Sequence, residues 1–472
     1  MTLMKKPKNL TEGGLFWKIL LYAIPVILAG IMQKLYNTAD QIVVGQYSGD
    51  PNALAAIGST STVTNIVLRL AIGISAGTSV VVAQYFGARR KEDVKRAVHT
   101  SMTFALIGGV IVAFIGIFLA RPMLSWLGTK PEVFDSAANY AIIIFIGVPA
   151  TAVYNFGSAI MRATGDPTTP LYILAVTGIA NVGFNLLFVL GFGMSVEGVA
   201  IATVIAKYLS AFVVLYMLGR SKEDACRFEW KHLGIDTAVF KRILKIGIPS
   251  AVQGMMFSIS NLFMLSTTNT FTTPEISGKT ISSSIEEYVS LALDGVYQAT
   301  LTFTGQNYGA GKRDRVKKTF YYSLVHSVSV AVILSAICLV FARPLASIFV
   351  ETGSLSYTEI LDAAALRMSI MLPGMFLQGI MNTTSGYLRG LGYSLPPMLA
   401  VTFSSCVLRI VYLYTIFPLL PHTFIYLYMI YPITWTICFL INFVSIAVFA
   451  PRAFAKKSLA ESTKKEEEPA TV

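Results

Sequence analysis

Apolar residues dominate the chain from Leu15 to Ala450, broken at intervals by short clusters of charge or by Gly, Pro and Asn. Cutting at those breaks leaves twelve apolar segments, near 15–47, 53–82, 97–120, 134–161, 168–191, 195–218, 241–267, 277–306, 319–342, 359–386, 394–417 and 423–449. Most exceed the ~20 residues a helix needs to cross the hydrocarbon of a bilayer, so each is expected to span it with some tilt or bend. The pattern predicts an all-α integral membrane protein. Pro25 lies inside the first segment, where it removes a backbone hydrogen bond and places a hinge. That segment has no small-residue cleavage site and is followed by many more, so it reads as a retained helix.

Composition and charge narrow the class. Hydrophobic residues make up 54% of the 472 and charged residues 13%, whereas a soluble protein carries about a quarter charged. The net charge of +12 does not point to nucleic acid, because the basic residues sit in loops 89–96, 219–245 and 312–318 and at the termini. The alternate loops 48–52, 192–194 and 418–422 hold no Lys or Arg. This asymmetry puts both termini and the basic loops in the cytoplasm; the short loops favour a bacterial inner membrane. The four cysteines and four histidines show no metal-ligand spacing. No GxxxxGK[ST], GxSxG or HExxH motif occurs, so neither ATP nor enzymatic chemistry is expected. The tail 451–472 is polar and charged and is expected to be disordered.

The halves repeat. Gln84, Gly87, Ala88, Val94 and Lys95 recur 222 positions later; Ile24, Pro25, Gly30, Met32 and Asn37 recur at 224; RATGDPTTP recurs loosely as RGLGYSLPP at 227. The expected division is a cytoplasmic N-terminus (1–14), an N-lobe (15–218), a linker (219–240), a C-lobe (241–450) and the tail (451–472). Six spans per repeat give both halves the same polarity, which predicts two bundles about a pseudo-two-fold along the membrane normal, with a cavity between them.

The stretches QKLYNTADQIVVGQYSG, ALAAIGS, AGTSVVVAQYFGA, MRATGDPTTP and TGQNYGAGKR together resemble the multidrug and toxic compound extrusion (MATE) family. The resemblance covers 15–450. It implies an exporter of organic, often cationic or amphipathic, compounds driven by a proton or sodium gradient, with two six-helix lobes around a cleft. Small organic molecules and membrane lipid are then its partners, no cofactor is required, and the chain works as a monomer. Two other readings share the pattern: a flippase for a lipid-linked or anionic substrate, and a channel or non-transporting scaffold.

Asp40 is the residue a membrane tolerates least, at a cost of roughly 2.5–3.5 kcal/mol. Tyr36 and Asn37 share its helical face. A carboxylate beside amides can bind Na⁺ or hold a proton, or tie helices together; the resemblance assigns it cation or proton coupling. Asn181 and Asn185, four apart, place two amides on one face, and Thr203 joins the cluster by the resemblance. Some relatives carry an acid where Asn185 stands. Glu287, Asp294 and Gln298 share a face of the eighth segment, with Glu286 about 100° away. Acids on a cavity wall attract organic cations, although Glu286 and Glu287 also fit a solvated outer position. The resemblance reaches Glu286 but not Asp294. The repeat partner of Asp40 is Met264, while Asn261 repeats Asn37, so an acid-bearing ion site is expected in the N-lobe. Lys34, Arg69, Lys207, Arg367 and Arg409 also fall in apolar segments, where they can snorkel or pair with acids; Lys34 and Arg69 also suit an anionic cargo. Arg409, Met256 and Asn261 complete the expected substrate wall.

Overall fold

The computed structural model describes residues 9–47, 53–126, 128–350 and 356–467. Each of the twelve apolar segments is helical. They form α1 (Leu15–Tyr47), α2 (Ala53–Gly87), α3 (Lys91–Trp126), the pair α4 (Pro131–Ile146) and α5 (Val148–Ala163), α6 (Thr168–Leu186), α7 (Val196–Gly219), α8 (Thr237–Thr268) and α9 (Thr273–Gly309). After α9 come α10 (Arg313–Val340), the short α11 (Ala342–Ser347), α12 (Tyr357–Gly390), α13 (Leu395–Val401), α14 (Leu408–Val411) and α15 (Phe424–Glu467). Among the described residues ten stretches are long and apolar enough to cross a membrane, and the α4–α5 pair, bent by 44°, makes an eleventh. The remaining expected span, α9, is 37 residues long but rich in Ser, Thr, Glu and Gln, and it packs on α12. Among the described residues there is no strand.

The expected disorder from 451 onward is corrected: α15 continues to Glu467. Lys, Ala and Glu in this stretch are good helix formers, and they extend a helix already nucleated by the span before it. Ala453 is buried, and Phe454 packs edge-on against Tyr308. The expectations for residues 1–8, 48–52 and 468–472 lie outside the described residues.

The chain divides into two compact units. Residues 24–251 form the first; residues 10–23 and 252–472 form the second. Helix α1 therefore changes unit beside Pro25, and α8 changes unit two residues after Pro249, its repeat partner. The repeated glutamines secure the early part of each of these helices. In the first unit Arg242 of α8 donates to Gln84 Oε1, and a Cβ on Gly247 would lie 2.8 Å from the Cα of Ile74, so glycine is what lets α8 approach α2 so closely. In the second unit the Leu10 N–H, just before α1, donates to Gln306 Oε1 at 3.0 Å, and Tyr22 donates to Thr302 at 3.2 Å. The repeat extends to backbone conformation: Gly165 and Gly392 make the same left-handed turn, with φ of 89° and 95°, a region that disfavours any side chain. Asp166 then caps α6, its Oδ1 accepting from the N–H groups of Thr168 and Thr169 at 3.1 Å.

The first unit is cored by small apolar residues such as Ala113, Ala137, Ala138 and Ala141 around Phe145. The second uses larger ones, including Leu293, Met368, Met371 and Trp435. The connection after α7 is bound to the start of α3. The N–H groups of Glu229, Gly234 and Asp236 donate to His99 Nε2, Thr103 and Thr100 at 3.1, 3.1 and 3.0 Å. Cys226 in this connection is 1% exposed, and burial, with Glu223 second, pushes its thiol up to about 12. A thiol raised this far stays protonated through the neutral range, and the thiolate is the reactive form. Maleimide at pH 7.5 is therefore expected to leave Cys226 unmodified in the folded protein and to modify it after unfolding in SDS. Peptide mass spectrometry reads the difference.

Candidate functional site

Two sets of buried polar groups occupy the two units. In the first unit a cavity of about 330 Å³ is lined by α1, α2, α4, α5, α6 and α7. Asp40 faces it from α1, and helical periodicity adds Asn37 from the same helix. Asn185 of α6 donates its Nδ2 to Asp40 Oδ1 at 2.5 Å, and Thr203 of α7 donates to Oδ2 at 3.2 Å. Hydrogen bonds to a carboxylate are worth more than neutral ones, so one side chain ties three helices together. Tyr36 donates its hydroxyl to the Leu174 carbonyl, and its ring covers Gly178 so closely that no Cβ would fit there. Asn181 is buried one turn before Asn185; its side-chain oxygen and nitrogen, like Asn185 Oδ1, have no partner. Oxygens of Asp40, Asn181, Asn185 and Thr203 are the hard donors a small cation takes. Among the described residues no cluster of three His, Cys, Asp or Glu exists.

Tyr140 and Tyr154 line the cavity but escaped sequence reasoning, because they carry no signal that separates them from packing tyrosines. Lys207, expected only to snorkel or pair with an acid, lines it too, one helical turn after Thr203. Its side chain shares the cavity with Asp40.

The second unit separates the remaining candidates. Glu286 is buried and accepts from Arg367 Nη1 at 2.7 Å; the same nitrogen donates to Ser282 at 2.6 Å. The Arg367 guanidinium lies 4.4 Å above the Tyr428 ring, and the Tyr428 hydroxyl is 2.8 Å from that of Thr268. Glu287 and Asp294 are exposed on another face of α9, where Asp294 accepts from Asn382 at 3.2 Å. Gln298 and Met256 are half-buried and Asn261 is exposed. Arg409 is fully buried against α15, apart from all of these acids. Lys34 is half-buried and Arg69 exposed.

Apolar spans around a polar cavity that holds a carboxylate suit a membrane transporter. The chain belongs to the MatE family of multidrug and toxic compound extrusion transporters, whose model matches residues 25–187 and 249–415. It is 27% identical to the probable multidrug resistance protein YoeA of Bacillus subtilis over 391 residues, which cover 81% of this chain and 83% of that protein. It is 26% identical to the probable multidrug resistance protein NorM of Thermotoga maritima over 392 residues, 81% of each. The fold matches the solved structure of a MOP superfamily transporter from Pyrococcus furiosus with a TM-score of 0.88. That match has 22% identity and covers 95% of this chain and 99% of the other.

The buried Glu286–Arg367 pair gives a direct test of its structural weight. Arg367→Met leaves a buried carboxylate uncompensated and is expected to cost about 3–5 kcal/mol. The double variant Arg367→Met/Glu286→Gln is expected to recover most of that loss. Thermal unfolding midpoints in detergent, compared across the four proteins of the cycle, measure both.

Proposed function

We propose that the protein exports small organic compounds, cationic or amphipathic, by antiport with H⁺ or Na⁺. The observation that carries this reading is Asp40, held by Asn185 and Thr203 on a polar cavity inside an otherwise apolar bundle. A carboxylate at membrane depth is costly unless it works. Binding one cation there removes the negative charge and loosens the two hydrogen bonds, so the α1–α6–α7 contact differs between loaded and empty states. An ion shifts a conformational equilibrium only through such a difference. Pro25 supplies the flexible point in α1, and alternating access follows when ion and cargo stabilise opposite states. Glu287, Asp294, Gln298, Met256 and Asn261 contribute to the cargo wall, and Glu286 acts by fixing Arg367. In this reading both termini face the cytoplasm across a bacterial plasma membrane, which the basic loops support, and the protein works there as a monomer surrounded by lipid.

The test is efflux of a fluorescent organic cation from proteoliposomes under imposed proton or sodium gradients, wild type beside Asp40→Asn. Wild-type efflux is expected to follow one gradient, and Asp40→Asn to lose that dependence. Coupling energies of about 1–3 kcal/mol correspond to roughly 5–150-fold in affinity, a range such an assay resolves. Equal efflux by both proteins up a concentration gradient removes Asp40 from the mechanism.

A further inference from the structure

Among the described residues Arg409 is the largest side chain that is completely buried. A guanidinium cannot shed its proton to escape that environment, and a buried charge without a counter-charge is expensive. Its Nε donates to Thr434 Oγ1 at 3.1 Å. The Tyr431 ring lies 3.9 Å from the guanidinium carbon, and the Phe257 ring 5.5 Å. These contacts fix the plane of the group, but Nη1 and Nη2 have no hydrogen-bond partner. The buried carboxylate of this unit, Glu286, is already committed to Arg367 at 2.7 Å.

The neighbouring polar atoms share this condition. Thr402 Oγ1 and Ser405 Oγ precede Arg409 by seven and four residues, and both are buried without a partner. On α15, Trp435 stacks edge-on against Tyr431 at 5.8 Å, and its Nε1 is also buried and unpartnered. Every one of these groups can donate, and none is an acid. Arg409 stands between two π-helical stretches, Thr402–Val407 and Tyr412–Ile416. Such widened turns interrupt regular helices mostly at functional positions.

We propose that Arg409, with Thr402, Ser405 and Trp435, is an anion-binding subsite inside the second unit that takes the carboxylate or phosphate-type group of an organic molecule. A planar guanidinium whose Nη1 and Nη2 are both unpartnered, held between aromatic faces, is suited to bidentate capture of such a group through that edge. The cargo is then zwitterionic or anionic at one end. This part rests on the transporter reading above; the binding itself does not.

The test uses the full chain in phosphatidylcholine nanodiscs, with Trp17, Trp126 and Trp230 changed to Phe so that Trp435 alone reports. The probes are 4-nitrobenzoate, which quenches indole fluorescence, and 4-nitrobenzamide, its uncharged counterpart. Saturable quenching by the carboxylate is expected at least ~10-fold tighter than by the amide, a preference of the size charge-assisted hydrogen bonds supply. Arg409→Met is expected to abolish the preference and Arg409→Lys to retain part of it. Competition by inorganic phosphate supports recognition of the anionic group itself. Competition by phosphatidylglycerol in the nanodisc assigns the site to a lipid headgroup and overturns the cargo reading. Equal quenching by the two probes, or a preference unchanged in Arg409→Met, overturns the subsite. Should the single-tryptophan protein fail to fold, the shift in the wild-type unfolding midpoint with each probe gives the same comparison. Because efflux is measured separately, absent anion binding leaves the antiport reading standing, and absent gradient coupling leaves the subsite standing.

Discussion

Inside a membrane, a polar group must find its partner within the protein, because hydrocarbon offers none. Asp40 meets that constraint with one donor from α6 and one from α7. Small residues in α3 and α4 let those helices close on Phe145, while Gly178 admits the Tyr36 ring beside the site. Removing the carboxylate's charge would leave the amide of Asn185 and the hydroxyl of Thr203 with a weaker acceptor. The site is therefore held together by the same interaction that a bound cation would weaken.

The second unit meets the constraint differently. Its charges are mostly arginines spread over aromatic rings: Arg367 on Tyr428, Arg409 on Tyr431, with the two tyrosine rings stacked 6.0 Å apart. Cation–π contacts of this kind strengthen when desolvated, but they do not neutralise charge. With Glu286 paired to Arg367, buried Arg409 leaves the interior of this unit with an excess positive charge, whereas the cavity of the first is lined by both Asp40 and Lys207. The two repeats share an ancestry in sequence and have parted in electrostatics.

Much of the fold was legible because membrane spanning imposes one strong rule, a long apolar run per helix. Asp40 and its neighbours on α1 were legible for the complementary reason, a charge where none is expected. Which residues would meet it was another matter: Thr203 entered through resemblance, since nothing local pairs residues 163 positions apart. The Glu286–Arg367 pair, 81 residues apart, was hidden because periodicity locates a face but not what faces it. The π-helical turns around Arg409 have no compositional mark, and the helical tail was missed because high charge signals both disorder and a solvated helix.

The exchange of helix ends near Pro25 and Pro249 bears on how such a chain could be cut. Severing the connection after α7 would not yield two complete bodies. One fragment would hold residues 10–23, which pack in the second unit, and the other would hold 237–251, which pack in the first. Each piece would carry a strip of helix that belongs to the other and lack one that it needs. A single ancestral copy of the repeat would have faced the same deficit. It could complete itself only by trading its first half-helix with a twin, as domain-swapped dimers do. Fusion of the two copies would have made that mutual dependence permanent.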